Sequence, residues 1–169
     1  MSGVRRFFYA LGVLALLLGM TACHSRANEM PAPLTLSYRG NELTVGMREN
    51  DVLTVLGDDF TMSEAESCAA QGVDRLYTYP SVRLYVFAPA QGEAVLSGVT
   101  YTDDGVKTAD GLCVGCSSAD VIASRGQPDE QTDTYLIYES DGAALTFTVR
   151  DGRVTGISLT GRATIKYAR

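Results

Sequence analysis

Hydrophobic and polar positions divide the chain into three stretches with different periods. A nearly unbroken apolar run spans 7–18, directly behind Arg5 and Arg6. It falls well short of the roughly 20 residues that a membrane-spanning helix needs. A basic pair followed by such a run predicts a secretory signal peptide over 1–22. Residues 23–33 are mostly polar, hold Pro31 and Pro33 and show no period, which predicts a flexible tether. From residue 34 onward the apolar positions alternate with polar ones. That period of two predicts strands at 75–79, 82–88 and 95–102, and again at 134–138, 144–149 and 154–159. Pro80-Ser81, Asp141-Gly142 and Asp151-Gly152 separate them, and Asp-Gly between alternating runs is a hairpin signal. Residues 34–38 and 42–45 should add edge strands before the first helix, and 103–112 should do the same before the second.

The alternating body repeats itself. Val45-Gly46 and Asp51-Val52, followed by Gly57, recur as Val114-Gly115 and Asp120-Val121, followed by Gly126, at a constant offset of 69 residues. Each block reads as a strand end, a glycine turn and a short helix. Ser117 and Asp120 form a capping box for the second helix, and Gly126 with Pro128 stops it. Arg48 stands where the first helix would need its cap, though Asp51 suits the positive helix end. The expected fold is therefore α+β: two tandem helix-plus-antiparallel-sheet repeats, 34–102 and 103–169, forming a curved sheet with the helices packed on one face. The repeats differ between helix and first hairpin, where about ten extra residues expand the first into a long loop over 58–74.

Alternation also sorts the strand residues by face. Leu84 and Val86, with Leu145 and Phe147, should point into the core. Arg83, Tyr85, Phe87, Thr100, Thr146, Thr148 and Ser158 should then point to an open face. Serine and threonine suit a solvated sheet. Arg83, Tyr85 and Phe87 depart from that pattern and are candidates for a partner-binding surface, unless they pack on the loop around Cys68. Tyr77, Tyr79, Tyr135 and Tyr138 fit sheet packing.

Charge and chemistry narrow the classes. Past the leader the chain holds twelve basic and twenty acidic residues, a formal charge of −8. That balance excludes nucleic acid as a partner and electrostatic attraction to anionic lipid. The single histidine, His24, lies in the tether, so the body has no catalytic histidine. No nucleophile elbow or phosphate loop occurs, and the expected protein is not an enzyme and needs no cofactor or metal. Cys113-Val114-Gly115-Cys116 lies between a strand and a helix N-terminus, where a thiol is activated. Thr44 and Met47 fill the equivalent positions in the first repeat, so the scaffold does not require thiols there. Cys68, Cys113 and Cys116 supply three thiolates without a fourth zinc ligand. A structural role is favoured: one disulfide among the three with one thiol left over, or all three reduced. A thiol–disulfide or metal-binding protein using Cys113 and Cys116 is the alternative.

Two resemblances extend this reading. Met20-Thr21-Ala22-Cys23 resembles the bacterial lipoprotein box, with Met20 where leucine is usual. The resemblance implies cleavage before Cys23, acylation there with chains such as palmitate, and attachment to the outer side of the cell membrane. Gly115, Ser117, Val121, Gly126, Pro128, Asp151, Gly152 and Val154 resemble the tandem-repeat β-lactamase-inhibitor-protein-like fold and the SmpA/OmlA-like small lipoproteins of outer-membrane assembly. The first repeat matches only at Gly46, Val52 and Gly57. Ser67-Cys68-Ala69, Gly72, Asp74, Tyr77, Tyr79 and Thr108-Ala109-Asp110-Gly111 resemble a group of lipoproteins from anaerobic gut Firmicutes. These likenesses imply a lipid-anchored, extracytoplasmic, non-enzymatic module that binds a protein through its sheet face and loops. Inhibition of a secreted hydrolase is the other role they suggest.

Overall fold

The computed structural model describes residues 34–161. The leader over 1–22, Cys23, the tether over 23–33 and the last eight residues of the second repeat all lie outside the described residues. The strands and helices run in the order β1 (Leu36–Tyr38), β2 (Asn41–Leu43), α1 (Glu49–Leu56), β3 (Thr61–Glu66), β4 (Gly72–Tyr79), β5 (Val82–Pro89) and β6 (Val95–Tyr101). They continue with α2 (Ser118–Arg125), β7 (Glu130–Gln131), β8 (Tyr135–Ser140), β9 (Ala143–Arg150) and β10 (Arg153–Gly161). Eight strands form one antiparallel sheet in the order β3-β4-β5-β6-β10-β9-β8-β7, while β1 and β2 pair separately. With two helices beside a mostly antiparallel sheet, the fold is of the α+β class.

The strands follow the period of two. On β5, Val82, Leu84 and Val86 are buried while Arg83 and Tyr85 are exposed. On β9, Leu145, Phe147 and Val149 are buried while Thr148 is exposed. Val52 and Leu56 of α1 and Val121 of α2 belong to the same buried cluster as these sheet residues. Two hairpin turns carry positive φ at both central residues, Asp141-Gly142 and Asp151-Gly152. That is the turn whose twist matches paired strands. Arg39-Gly40, between β1 and β2, does the same without an obvious sequence signal.

Helix ends are set by local chemistry, and the two differ. Ser117 Oγ accepts from the Asp120 N–H at 3.0 Å, and Asp120 Oδ2 accepts from the Ser117 N–H at 3.2 Å. Arg48 makes no side-chain cap for α1. Ser117→Ala should therefore lower stability by about 1 kcal/mol. Arg48→Ser, placed at an uncapped end, should raise it by up to about 1 kcal/mol. Paired urea titrations check both, and equal loss from Ser117→Ala and Arg48→Ala would contradict the capping account.

Hydrogen bonds around the two helices match in kind. The turn and helix-end residues stand 69 positions apart, and their strand partners 58 or 59 apart, because about ten extra residues lie between α1 and β4. Gly46 N–H donates to Leu96 O and Gly115 N–H to Val154 O, each at 2.8 Å. Leu96 N–H returns to Met47 O at 2.8 Å, and Val154 N–H to Cys116 O at 2.9 Å. At the C-terminal ends, Tyr79 donates its hydroxyl to Gly57 O at 2.7 Å and Tyr138 to Gly126 O at 3.0 Å.

Three expectations are corrected. Residues 34–38 and 42–45 do not extend the main sheet; they form the separate β1–β2 hairpin. Its Leu36, Tyr38 and Leu43 are drawn into the core, where Tyr101 donates to Ser37 O at 2.6 Å. Residues 103–112 form turns instead of strands. Asp103 takes the Gly105 N–H and Thr108 takes the Leu112 N–H, so side chains satisfy the backbone locally and no ladder forms. Residues 58–74 are not one long loop, because Thr61–Glu66 is strand β3, paired residue for residue with β4. Every residue of β3 is exposed, so hydrophobic alternation carries no trace of it.

Candidate functional site

Outward-facing residues of five neighbouring strands line a groove of about 580 Å³. Small side chains make its floor: Gly98 and Thr100 on β6, Ser158 and Thr160 on β10. Tyr85 on β5 and Leu76 on β4 supply the apolar surface, and Ser63 and Ala65 of β3 extend the lining to the sheet edge.

Sequence and register explain why this ring stands here. Tyr85 pairs with Gly98 across the strands. A Cβ on Gly98 would lie 3.6 Å from the tyrosine ring and 3.2 Å from Leu159 O. Glycine thus leaves room for the aromatic ring to lie across the backbone. The register shifts directly after Tyr85, and Ser97 in the bulge donates to Tyr85 O at 3.0 Å. Bulges re-aim side chains and recur beside binding sites. Tyr85 remains 39% exposed in spite of this packing, one of the few large hydrophobic side chains so placed among the described residues.

The other two surface candidates fare differently. Arg83 is exposed on the same face of β5 but does not line the groove. Phe87 is half-buried and leans on the β3–β4 turn, where a Cβ on Gly72 would come within 3.0 Å of its ring. Of the three, the groove includes Tyr85 alone. Ser63, within the 58–74 stretch expected to supply further contacts, joins it, as do Leu76 and Thr160, which the sequence does not single out. Leu76 is the residue opposite Tyr85 on β4, a pairing that needed the register to be seen.

A polar cluster anchors the groove's far wall from the core side. Glu49, 9% exposed at the start of α1, accepts from the Tyr77 hydroxyl at 2.6 Å and from Arg75 at 2.8 Å. Arg75 also reaches Glu64 of β3 at 3.3 Å. Burial, then the hydrogen bond and negative charge of Glu49, push the Tyr77 phenol up to about 12. In the other half, Arg125 bonds Asp110 at 2.7 Å and sits 5.6 Å over the Phe147 ring. Burial works to raise the Asp110 carboxyl, but the Thr108 hydroxyl, Arg125 and Ser124 outweigh it and hold it low.

All three cysteines in the described residues are free thiols. Cys68 is exposed in the β3–β4 turn, while Cys113 and Cys116 are half-buried in one turn before α2. Burial pushes the Cys116 thiol up, against the direction a reactive thiolate needs. Alkylation at pH 7 followed by peptide mass mapping should modify Cys68 at least about tenfold faster than Cys116. Faster reaction at Cys116 would show that the turn activates its thiol. Among the described residues no group of three or more His, Cys, Asp or Glu side chains is arranged to hold a metal ion. No helix among them is long and apolar enough to cross a membrane. No family model, no curated protein and no solved structure matches this chain.

Proposed function

We propose that this protein is a lipid-anchored, extracytoplasmic module that binds another protein through the open face of its sheet and performs no catalysis. The body comprises two tandem repeats whose strands make one curved sheet, with both helices on the face opposite the groove. The matched turn, bridge and tyrosine bonds at both helices, with the turn and helix-end residues 69 positions apart, support that reading of the fold. Acyl chains on Cys23 hold the protein at the membrane surface.

The observation that carries the binding role is Tyr85 standing over a floor of small residues. A rigid aromatic ring beside such a floor offers a partner both an apolar contact and room for its own side chain. The acidic body favours a partner surface of the opposite sign. Residues 34–161 hold eight basic and nineteen acidic residues, a formal charge of −11. Complementary charge steers association more than it strengthens it.

Crosslinking capture from native membranes tests the proposal, with wild-type and Tyr85→Ala chains as baits. Wild type should retain a protein that Tyr85→Ala retains at least about tenfold less well, the size expected of an interface anchor. Equal retention would overturn the sheet-face role. Cys23→Ser should leave the membrane fraction and appear in the secreted soluble fraction; persistence on the membrane would overturn the anchor.

A further inference from the structure

The sheet has two edges, and the chain treats them differently. At one end β7 is two residues long, follows Pro128, and pairs only at Glu130 and Gln131. The Asp129 carboxylate there accepts from the Glu139 N–H at 2.7 Å, covering part of what β7 leaves open. A short strand, a proline and an inserted carboxylate are how proteins stop an edge from pairing further. At the other end β3 is six residues long, contains no proline and is exposed throughout. The ten extra residues of the first repeat are spent largely on this edge.

Ladder geometry says which groups the edge presents. The Ser67 N–H donates to Gly72 O at 3.0 Å, next to the Glu66–Val73 pair. Hydrogen-bonded pairs alternate along an antiparallel ladder. Ala65, Ser63 and Thr61 therefore bond β4, whereas Met62, Glu64 and Glu66 direct N–H and C=O away from it. We propose that this edge takes an extended, cationic segment of a partner protein as a ninth strand of the sheet. Strand addition at an exposed edge gains main-chain hydrogen bonds first and side-chain specificity second. The charge follows from Glu66 on the edge, Asp74 opposite Ala65, and the acidic body behind them, with Glu64 already shared with Arg75. A second copy of this chain is the poorer occupant, because its own β3 would bring two more glutamates to the seam. The inference rests on the protein-binding reading above for the class of partner, not on the groove.

Panning a displayed random decapeptide library against the secreted Cys23→Ser chain tests it. The expected result is an enriched set of proline-free, β-branched peptides with two or more lysines or arginines. Their binding should fall at least tenfold with Met62→Pro, which deletes an outward N–H but no ladder bond. Glu66→Lys should weaken them as strongly through charge alone, which keeps the test decisive if Met62→Pro fails to fold. Met62→Ala, which keeps the N–H, should bind them within twofold of wild type. No enriched set, or peptides that bind Glu66→Lys as well as wild type, would overturn the proposal. Self-association of the chain that Glu66→Lys changes would overturn it in favour of a second copy. The groove is judged separately, by the Tyr85→Ala capture.

Discussion

Glu49→Ala should lower the unfolding free energy by about 3 kcal/mol, measured by urea titration. The carboxylate is nearly buried and holds two partners from β4, the Tyr77 hydroxyl at 2.6 Å and Arg75 at 2.8 Å. Truncation leaves the phenol buried without its acceptor, which alone costs about 1–3 kcal/mol. It also removes a negative charge from the first turn of α1, where the helix dipole favours one. Arg75 keeps Glu64 and is about one-third exposed, so the loss stays at the lower end for a broken buried pair. Glu49→Gln, which can still accept from Tyr77, should cost about half as much. A Glu49→Ala loss below about 0.5 kcal/mol, the range of ordinary surface changes, would contradict the anchoring role.

The same cluster sets an alkaline limit. An unfolded tyrosine ionises near 10.0, but Tyr77 holds its proton to about 12, and burial does the same for Tyr101. Between those values the folded state binds more protons than the unfolded one, so stability falls as pH rises. The contribution is complete below pH 10 and is lost as pH climbs through about 12. Melting temperature should decline across that interval, and Tyr77→Phe should make the decline shallower.

Phe147→Ala should cost about 3–5 kcal/mol, the largest effect expected of a single side chain here. The ring is fully buried on β9, meets Tyr138 edge-on at 6.0 Å, and lies under the Arg125 guanidinium. Tyr138 in turn donates to Gly126 O at the end of α2, so the ring supports the junction of helix and sheet. Phe147→Leu, which refills most of the volume, should lose under half as much. Neighbouring Thr146 and Thr148 face the open side, and Thr148→Ala should change stability by under about 0.5 kcal/mol. Calorimetry on the three variants checks the order; a Thr148→Ala loss equal to that of Phe147→Ala would contradict the assignment of faces.

The legible parts of the fold were those in which one face is buried. β5 and β9 are buried on one side and solvated on the other, so alternation was visible in the residues themselves. Ser117 and Gly126 marked the ends of α2 through side-chain chemistry that acts within a few residues. β3 was hidden for the opposite reason. Thr61, Ser63 and Ala65 alternate with Met62, Glu64 and Glu66, a period of small and large rather than apolar and polar. Residues 103–112 misled because an apolar or β-prone residue among aspartates and glycines can satisfy its backbone within turns. Of the candidate surface residues, Tyr85 was readable from strand parity, but its neighbours were not. Leu76 depends on the β4–β5 register and Thr160 on β10 lying beside β6, facts set by long-range pairing.

A photo-crosslinking residue placed at Tyr85 in living cells tests the central claim most directly, with one at Val55 as the comparison. Val55 is the more exposed of the two, at 49% against 39%, and lies on α1. The account predicts a light-dependent adduct with a specific protein from position 85 and none from position 55. Adducts from position 55 with none from position 85 would contradict it.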